Sequence, residues 1–172
     1  MFSQAVSASE AKDLLADSKQ LKVDLFGGET SQLKGAVNVD IDATIGVKAD
    51  ITGGLDFIPN GSTSQLSALN PYIPGRKNMF ASDILAEAHR ILEPGGEFTI
   101  AATKGNPYVK IKQFPSENQL NNMGFDVVNY KTPLTQVDSY QNTFSNVSFG
   151  QTGGTSPINP EDMISIILRK KQ

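Results

Sequence analysis

Three short groups of residues in this 172-residue sequence have types and positions that suit ligand binding. Each follows a short apolar segment of the kind that forms a buried strand; the groups are Gly27-Gly28, Asp40 and Asn70-Pro71-Tyr72. Adjacent glycines let the backbone approach a ligand closely, and a carboxylate at a strand end can accept hydrogen bonds from ribose hydroxyls. An asparagine followed by a proline and an aromatic residue forms a rigid elbow with an amide and a stacking ring.

The segments that must position these groups alternate between strands and helices. Helices are predicted from capping-box spacing at Ser7 and Glu10, after Ser82, and from Ser116 and Gln119. Strands are predicted at residues 21–25, 36–41, 47–51, 65–69 and 97–102, with a final pair at 125–130 and 163–168. This order favours an α/β fold with a mostly parallel sheet and an antiparallel final strand pair. In such a sheet, ligands lie beyond the carboxyl ends of the strands, where the strand order reverses.

Two connections depart from a standard α/β plan. Only residues 29–35 separate the glycine turn from the second strand, whereas a crossover that carries a helix needs about a dozen residues. The first crossover is therefore either a bare loop, or the two strands are not neighbours of the usual kind. Residues 132–162 are rich in Ser, Thr, Asn and Gly, which predicts a long polar loop between the last two strands.

The composition excludes several kinds of site. The chain has no cysteine, which excludes disulfides, thiolate nucleophiles and thiolate metal ligands. The single histidine, His89, is predicted to pack inside the fold rather than to act as a base. Asp40, Asp42 and Asp50 are too dispersed to predict a metal site.

The charge and hydropathy patterns limit the classes of binding partner that we expect. A net charge of −3 and a pI near 5.1 give no strong nucleic-acid signal. The basic run at residues 169–171 is predicted to be a solvated tail. No apolar run has the length of a signal peptide or a membrane span, so no membrane partner is expected. We expect a cytoplasmic protein, or one that is secreted as part of a larger protein.

Residues 21–102 resemble small class I S-adenosylmethionine-dependent methyltransferases. The family reads Asn or Asp-Leu-Gly-Cys-Gly where this chain has Asp24-Leu25-Phe26-Gly27-Gly28. Its Pro-Gly-Trp-x-Asn-Val-Asp-Ile resembles the Lys-Gly-Ala-Val-Asn-Val-Asp-Ile of residues 34–41, and its Ala-Asp pair resembles Ala49-Asp50. Its Arg-Val-Leu-Lys-Pro-Gly-Gly resembles the Arg-Ile-Leu-Glu-Pro-Gly-Gly of residues 90–96. A first crossover without a helix is also typical of this subgroup.

The resemblance implies one Rossmann-like methyltransferase domain over residues 1–172, with an N-terminal helix within 1–20 and a cofactor-binding core at 21–102. It implies a methyltransferase that uses S-adenosylmethionine. The acceptor is left open by the resemblance, and we expect a small molecule or a protein. Asp40 would hold the ribose hydroxyls, and Asn70 and Tyr72 would hold the methyl acceptor. The implied cofactor-binding residues are Asp24, Phe26, Gly27, Gly28, Asp40, Ile41, Asp50, Ile51 and Asn70. Phe26 departs from the family because it stands where the first glycine is expected.

Two other functions are compatible with the same sequence. The shortened crossover and the polar tail resemble methyltransferase-like domains at the C-termini of secreted bacterial toxins, which would add an immunity protein as a partner. A degenerate scaffold that binds a partner without catalysis is the second alternative, and Phe26 is the residue that favours it. The Asp-Leu-Phe-x-Gly opening also resembles that of cytosine methyltransferases, but those enzymes need a cysteine that this chain lacks.

Overall fold

The computed structural model describes residues 2–73, 75–76, 84–110, 114–150 and 157–172. These residues form one eight-stranded sheet with helices and ordered loops on its faces. The strands are β1 (Ala5–Val6), β2 (Leu21–Leu25), β3 (Val37–Asp40), β4 (Gly46–Lys48), β5 (Thr63–Leu69), β6 (Leu92–Thr103), β7 (Phe125–Pro133) and β8 (Met163–Lys170). The α-helices within these ranges are α1 (Ala8–Leu15), α2 (Leu85–Ile91) and α3 (Glu117–Asn122).

The strand order in the sheet is β1-β4-β3-β2-β5-β6-β8-β7. All neighbouring strands are parallel except β8, which is antiparallel to both β6 and β7. The predicted α/β fold, with its mostly parallel sheet and antiparallel final pair, is therefore confirmed. From β2 the chain moves outward through β3 and β4, and it then returns to the other side of β2 as β5. The strand order consequently reverses between β2 and β5, where a ligand crevice is expected.

The first crossover is a loop without a helix. It joins β2 to β3, which are adjacent and parallel, with Val23 opposite Val37 and Leu25 opposite Val39. Of the two alternatives for this crossover, the bare loop is the one that forms. The carbonyl of Glu29 in this loop accepts hydrogen bonds from the backbone of residues 44 and 45, which fastens the crossover to the β3–β4 connection.

Both predicted capping boxes are present. Ser7 and Glu10 bond reciprocally at the start of α1, and Ser116 and Gln119 do so at the start of α3. Ser82, the predicted cap of the second helix, lies outside the described residues. Within them, α2 buries Leu85, Ala88 and Ile91 on one face, as its apolar spacing predicts.

Two hydrophobic clusters cover the opposite faces of the sheet. The larger one takes Phe98, Ile100 and Ala102 from β6 and packs beneath the helices, while Ala101 points to the smaller one. The smaller cluster is completed by Leu134, Val137, Val147 and Phe149, from the segment after β7. The segment predicted to be a long polar loop therefore supplies the apolar cover of one sheet face.

Two further differences from the sequence-based predictions have local causes. The third predicted strand ends at Lys48 rather than residue 51, because Asp50 caps a short helical turn at Ile51–Gly53. The basic run at the end is not a solvated tail. Arg169 pairs with Glu97 at 2.6 Å, and Lys170 and Lys171 donate to the backbone carbonyls of residues 92 and 121. No helix within the described ranges is long and apolar enough to cross a membrane.

Candidate functional site

A cleft of about 470 Å³ lies at the carboxyl ends of the strands, next to the point where the strand order reverses. Its volume is within the range of roughly 300–1,000 Å³ that is typical of small-molecule sites. The cleft is lined by Phe26, Gly28, Asp40, Ile41, Asp42, Ala49, Asp50, Ile51, Asn70, Tyr72 and Ile73. Of the predicted site residues, Asp24 and Gly27 are the two that do not line it. The part that each residue takes in binding stays a prediction.

Phe26 adopts the backbone conformation that the family's glycine would allow. Its φ is +67°, in the left-handed region that bulky side chains rarely enter, and its N–H donates to the carbonyl of Val39 at 3.0 Å. Gly28, two residues on, has φ +77°. The loop therefore follows a glycine-like course despite Phe26, whose half-buried ring packs against the larger core and lines the cleft.

Asp40 is hydrogen-bonded to the loop after β2 and to the loop after β3, both beside the cleft. One carboxylate oxygen accepts the N–H of Gly28 at 2.9 Å, and the other accepts the N–H of Asp42 at 2.8 Å. An ionised carboxylate has about four acceptor positions, so these bonds leave capacity for two more donors. Asp40 can therefore hold the glycine loop and still accept hydrogen bonds from a ligand with vicinal hydroxyls.

Asp50 and Ile51 line the cleft just after β4. Asp50 Oδ1 accepts both the N–H of Thr52, at 2.9 Å, and its hydroxyl, at 2.6 Å. These bonds, led by the one from the hydroxyl, lower the pKa of Asp50 and keep its carboxylate ionised. Ile51 is buried, whereas Ile41, which also lines the cleft, is 60 % exposed. This part of the lining combines a fixed negative charge with apolar surface, which suits a heteroaromatic ring that carries N–H donors.

The elbow after β5 is rigid. Asn70 has φ +47°, and its side-chain amide donates to the carbonyl of Gly150 at 2.8 Å. Asn106 donates to the carbonyl of Pro71 at 2.9 Å and more weakly to Asn70 Oδ1 at 3.5 Å. Because that second bond is long, Asn70 Oδ1 keeps acceptor capacity for a ligand. Tyr72 is 46 % exposed and presents its ring at the mouth of the cleft.

A second Asn-Pro-Tyr sequence supports the first, and the sequence analysis missed it. Asn106-Pro107-Tyr108 follows β6 as Asn70-Pro71-Tyr72 follows β5. The buried Tyr108 hydroxyl donates to the carbonyl of Ile73 at 3.0 Å and accepts its N–H at 2.9 Å. The repeated motif at the ends of two neighbouring strands was the available signal.

Asp24 lies beneath the glycine loop rather than on the wall of the cleft. It is 2 % exposed, and Ser31 donates its hydroxyl to Asp24 Oδ2 at 2.6 Å. Burial is the main reason that the pKa of Asp24 rises to about 6; the Ser31 bond opposes this rise and the Asp40 charge adds to it. Beside it, the buried Asn38 donates its amide to the carbonyls of Gly28 and Ile45, at 2.9 and 3.2 Å. Asn38, also missed from the sequence, thus ties together the two loops that flank the cleft.

His89 takes no part in this cleft. Its ring packs edge-on against Phe125, with the ring centres 5.4 Å apart, and burial lowers its pKa. These contacts agree with the structural role expected for it. Within the described ranges there is no cluster of three or more His, Asp or Glu side chains that could hold a metal ion.

The reversal of strand order, the antiparallel final pair and the crevice together define the Rossmann-like fold of class I methyltransferases. Among solved structures, the chain is similar to a variant of the 16S rRNA (adenine(1408)-N(1))-methyltransferase from Catenulisporales acidiphilia, crystallised with its cosubstrate SAM. The identity is 12 %, the TM-score 0.55, and the match covers 97 % of this chain and 92 % of that one.

Two antibiotic-resistance enzymes match over a similar extent. The aminoglycoside resistance methyltransferase NpmB1 is 9 % identical, with a TM-score of 0.53 and coverage of 99 % of this chain and 100 % of that one. The antibiotic-resistance methyltransferase Kmr is 11 % identical, with a TM-score of 0.53 and full coverage of both chains, 100 % each. No protein-family model and no curated protein sequence matches the chain. At these identities the likeness establishes the fold alone.

Proposed function

We propose that this protein is an S-adenosylmethionine-dependent methyltransferase. The observation that carries the proposal is the cleft beside the point of strand reversal, whose lining combines Asp40 and Asp50 with apolar side chains. The neighbours with the same fold support it, since those reported above are named as methyltransferases and one contains SAM.

The residues of the cleft fit the cofactor on size and chemistry. Asp40 has acceptor positions for the two ribose hydroxyls, next to the backbone of Gly28. Asp50 would accept from the adenine amino group, while Ile41 and Ile51 would contact the faces of the ring. None of these proposed contacts requires a metal ion.

When bound, S-adenosylmethionine supplies a methyl group on a sulfonium centre that is already a strong electrophile. The residues of this chain then need to align an acceptor and shield it from water, because methyl transfer depends mainly on geometry. Asn70 Oδ1 would accept a hydrogen bond from the acceptor, and Tyr72 would stack on it. The hydrogen bonds from Asn106 to Asn70 and Pro71 hold this elbow in position. No acid–base pair is required for an acceptor with a free lone pair.

The charge of the cleft favours a small molecule or a protein side chain as the acceptor. Its described lining contains three aspartates and neither lysine nor arginine, and the whole chain carries −3. A phosphodiester backbone would be repelled by such a lining. The neighbour's name specifies 16S rRNA, so RNA stays the acceptor class to test against these two.

Calorimetric titration with S-adenosylmethionine and S-adenosylhomocysteine tests the proposal. We expect binding of both by the wild type, and a loss of at least about tenfold in affinity for Asp40→Asn, because one of its two ribose acceptors becomes a donor. Asp13→Asn makes the same chemical change on the exposed face of α1 and should bind like the wild type. Equal thermal unfolding of the two variants would show that the Asp40 effect is not a folding defect. Absence of binding by the wild type would refute the proposal.

Turnover separates the enzyme from a binding scaffold. Methyl incorporation from labelled cofactor into rRNA, total protein or a small-molecule extract would identify the acceptor class. Binding without incorporation into any of them would favour the scaffold. The toxin alternative gains no support from the three structures reported above, none of which is named as a toxin.

A further inference from the structure

A row of buried polar side chains crosses four adjacent strands beneath the glycine loop. Its members are opposite one another in the sheet register and are at most 6 % exposed: Asn38 on β3, Asp24 on β2, Ser67 on β5 and Thr99 on β6. A row of this kind is destabilising unless its polar atoms are hydrogen-bonded, since burial removes the hydrogen bonds that those atoms would make with water. The first crossover, which lacks a helix, closes over the β2 and β3 end of the row.

Two oxygen atoms of this row have no hydrogen-bond partner among the described residues, and both are shielded from solvent. They are Asp24 Oδ1 and Asn38 Oδ1. Turning the Asn38 amide over does not help, because its oxygen would then face the carbonyls of Gly28 and Ile45, which now accept from its nitrogen. The orientation of the Asn38 amide is therefore fixed, and its Oδ1 atom needs a hydrogen-bond donor from a neighbouring group.

The two side chains meet under Gly27. A Cβ atom on Gly27 would clash with Asn38 Oδ1 and would lie 2.9 Å from Asp24 Oδ2. Asp24 and Asn38 are direct partners in the β2–β3 register, so the neighbouring side chain that could donate to Asn38 Oδ1 is the carboxyl group of Asp24 in its protonated form. One proton on Asp24 Oδ1 would convert two unsatisfied acceptors into one hydrogen bond.

We propose that Asn38 is a positioning residue of the cofactor cleft, and that a proton on Asp24, donated to Asn38 Oδ1, holds Asn38 in place. Asn38 then fixes the carbonyls of Gly28 and Ile45 and hence the spacing of the two loops over the cleft. The inference rests on the proposed function in one respect, because S-adenosylhomocysteine is the ligand whose binding is measured in its second test. The hydrogen bond itself does not depend on that function.

The charged groups around Asp24 are compatible with this proton. Asp40, at the end of β3, raises the pKa of Asp24, and Ser31 is the hydroxyl that lowers it. The other ionisable side chains of the adjoining elements, Glu29 and Lys34 on the crossover loop and Lys22 on β2, are exposed. Burial dominates the balance and favours the protonated form.

Two measurements test the proposal, and the first needs no ligand. In the free wild-type protein, the carboxyl ¹³C signal of Asp24 should titrate near pH 6, and the Asn38 side-chain amide signals should move with the same midpoint. Titration of Asp24 near its ordinary value of 3.8, or an Asn38 amide that does not follow it, would overturn the proton bond while leaving the proposed function intact.

The second measurement is the dissociation constant of S-adenosylhomocysteine across the same pH range. If only the protonated form binds, the constant should rise by up to about thirtyfold from pH 5 to pH 7.5 in the wild type and in the Asp13→Asn control. Asp24→Asn supplies a permanent donor and should bind tightly with less than about a twofold change over that range.

Asn38→Leu removes the tie between the loops and should bind about tenfold more weakly than the wild type at pH 5, with a dissociation constant that no longer changes with pH. Equal pH dependence in the wild type and in Asp24→Asn would overturn the positioning role. If the wild type binds no ligand at any pH, the proposed function and the positioning role both fail, and the titration of the free protein still decides whether the proton bond exists.

Discussion

Replacing Asp24 by asparagine should make the stability of the protein less dependent on pH. The folded-state pKa of Asp24 is raised from 3.8 to about 6, mainly by burial. The folded protein therefore holds a proton that the unfolded chain has already released. The stabilisation from this proton is fully present below about pH 4 and is lost as the pH rises through about 6.

The size of this loss follows from the shift in pKa. Each pKa unit corresponds to about 1.4 kcal/mol, and most of the shift is expressed above pH 4, so the free energy of unfolding of the wild type should fall by roughly 2.5 kcal/mol between pH 4 and pH 7 on account of Asp24 alone. Asp24→Asn has no such proton to lose, and its amide can donate to the Asn38 oxygen at every pH. The variant should thus become the more stable protein at neutral pH.

Urea unfolding followed by far-UV circular dichroism, at constant ionic strength and several pH values, measures this difference. The quantity to compare is the wild-type value minus the Asp24→Asn value, because Asp50 and Glu87, whose pKa values are lowered, titrate equally in both proteins. Asp13→Asn serves as the control and should follow the wild type. A difference that stays constant within about 0.5 kcal/mol from pH 4 to pH 7 would refute the reasoning.

Three other substitutions test individual contacts. Gly27→Ala should destabilise the fold by about 1–3 kcal/mol, because its Cβ would clash with a buried amide oxygen. Gly105→Ala, whose Cβ would meet open space, is the control and should change the free energy of unfolding by less than about 0.5 kcal/mol; equal urea midpoints for the two variants would contradict this. Arg90→Lys should cost about 2 kcal/mol, since the guanidinium binds several oxygens of the loop before β5 in a fork that an ammonium cannot reproduce; an unchanged melting temperature would count against that role. Ser7→Ala should cost about 1 kcal/mol through loss of the α1 cap, and the same unfolding assay with no measurable change would show that the cap contributes nothing.

Local patterns in the sequence predicted most of the helices and strands and some residues of the candidate cleft. Capping boxes, glycine turns and alternating apolar residues act over a few positions, so they can be recognised without knowledge of the fold. Asp40 and Asn70 could be placed at one crevice because the carboxyl ends of parallel strands lie on one edge of a sheet, whereas Asp50 was implied by the family resemblance.

The tertiary structure alone decided which polar residues are buried. Asn38 and Asp40 alternate with valines in the same pattern, yet Asn38 is 2 % exposed beneath the crossover loop while Asp40 reaches the cleft. In the same way, a segment rich in Ser and Asn proved to carry Leu134, Val147 and Phe149 into a second core. Alternation assigns a residue to a face of the sheet, but only the chain that packs over that face determines whether the residue meets solvent, apolar side chains or another buried polar group. For that reason the unsatisfied oxygens of Asp24 and Asn38 could be found only from the folded chain.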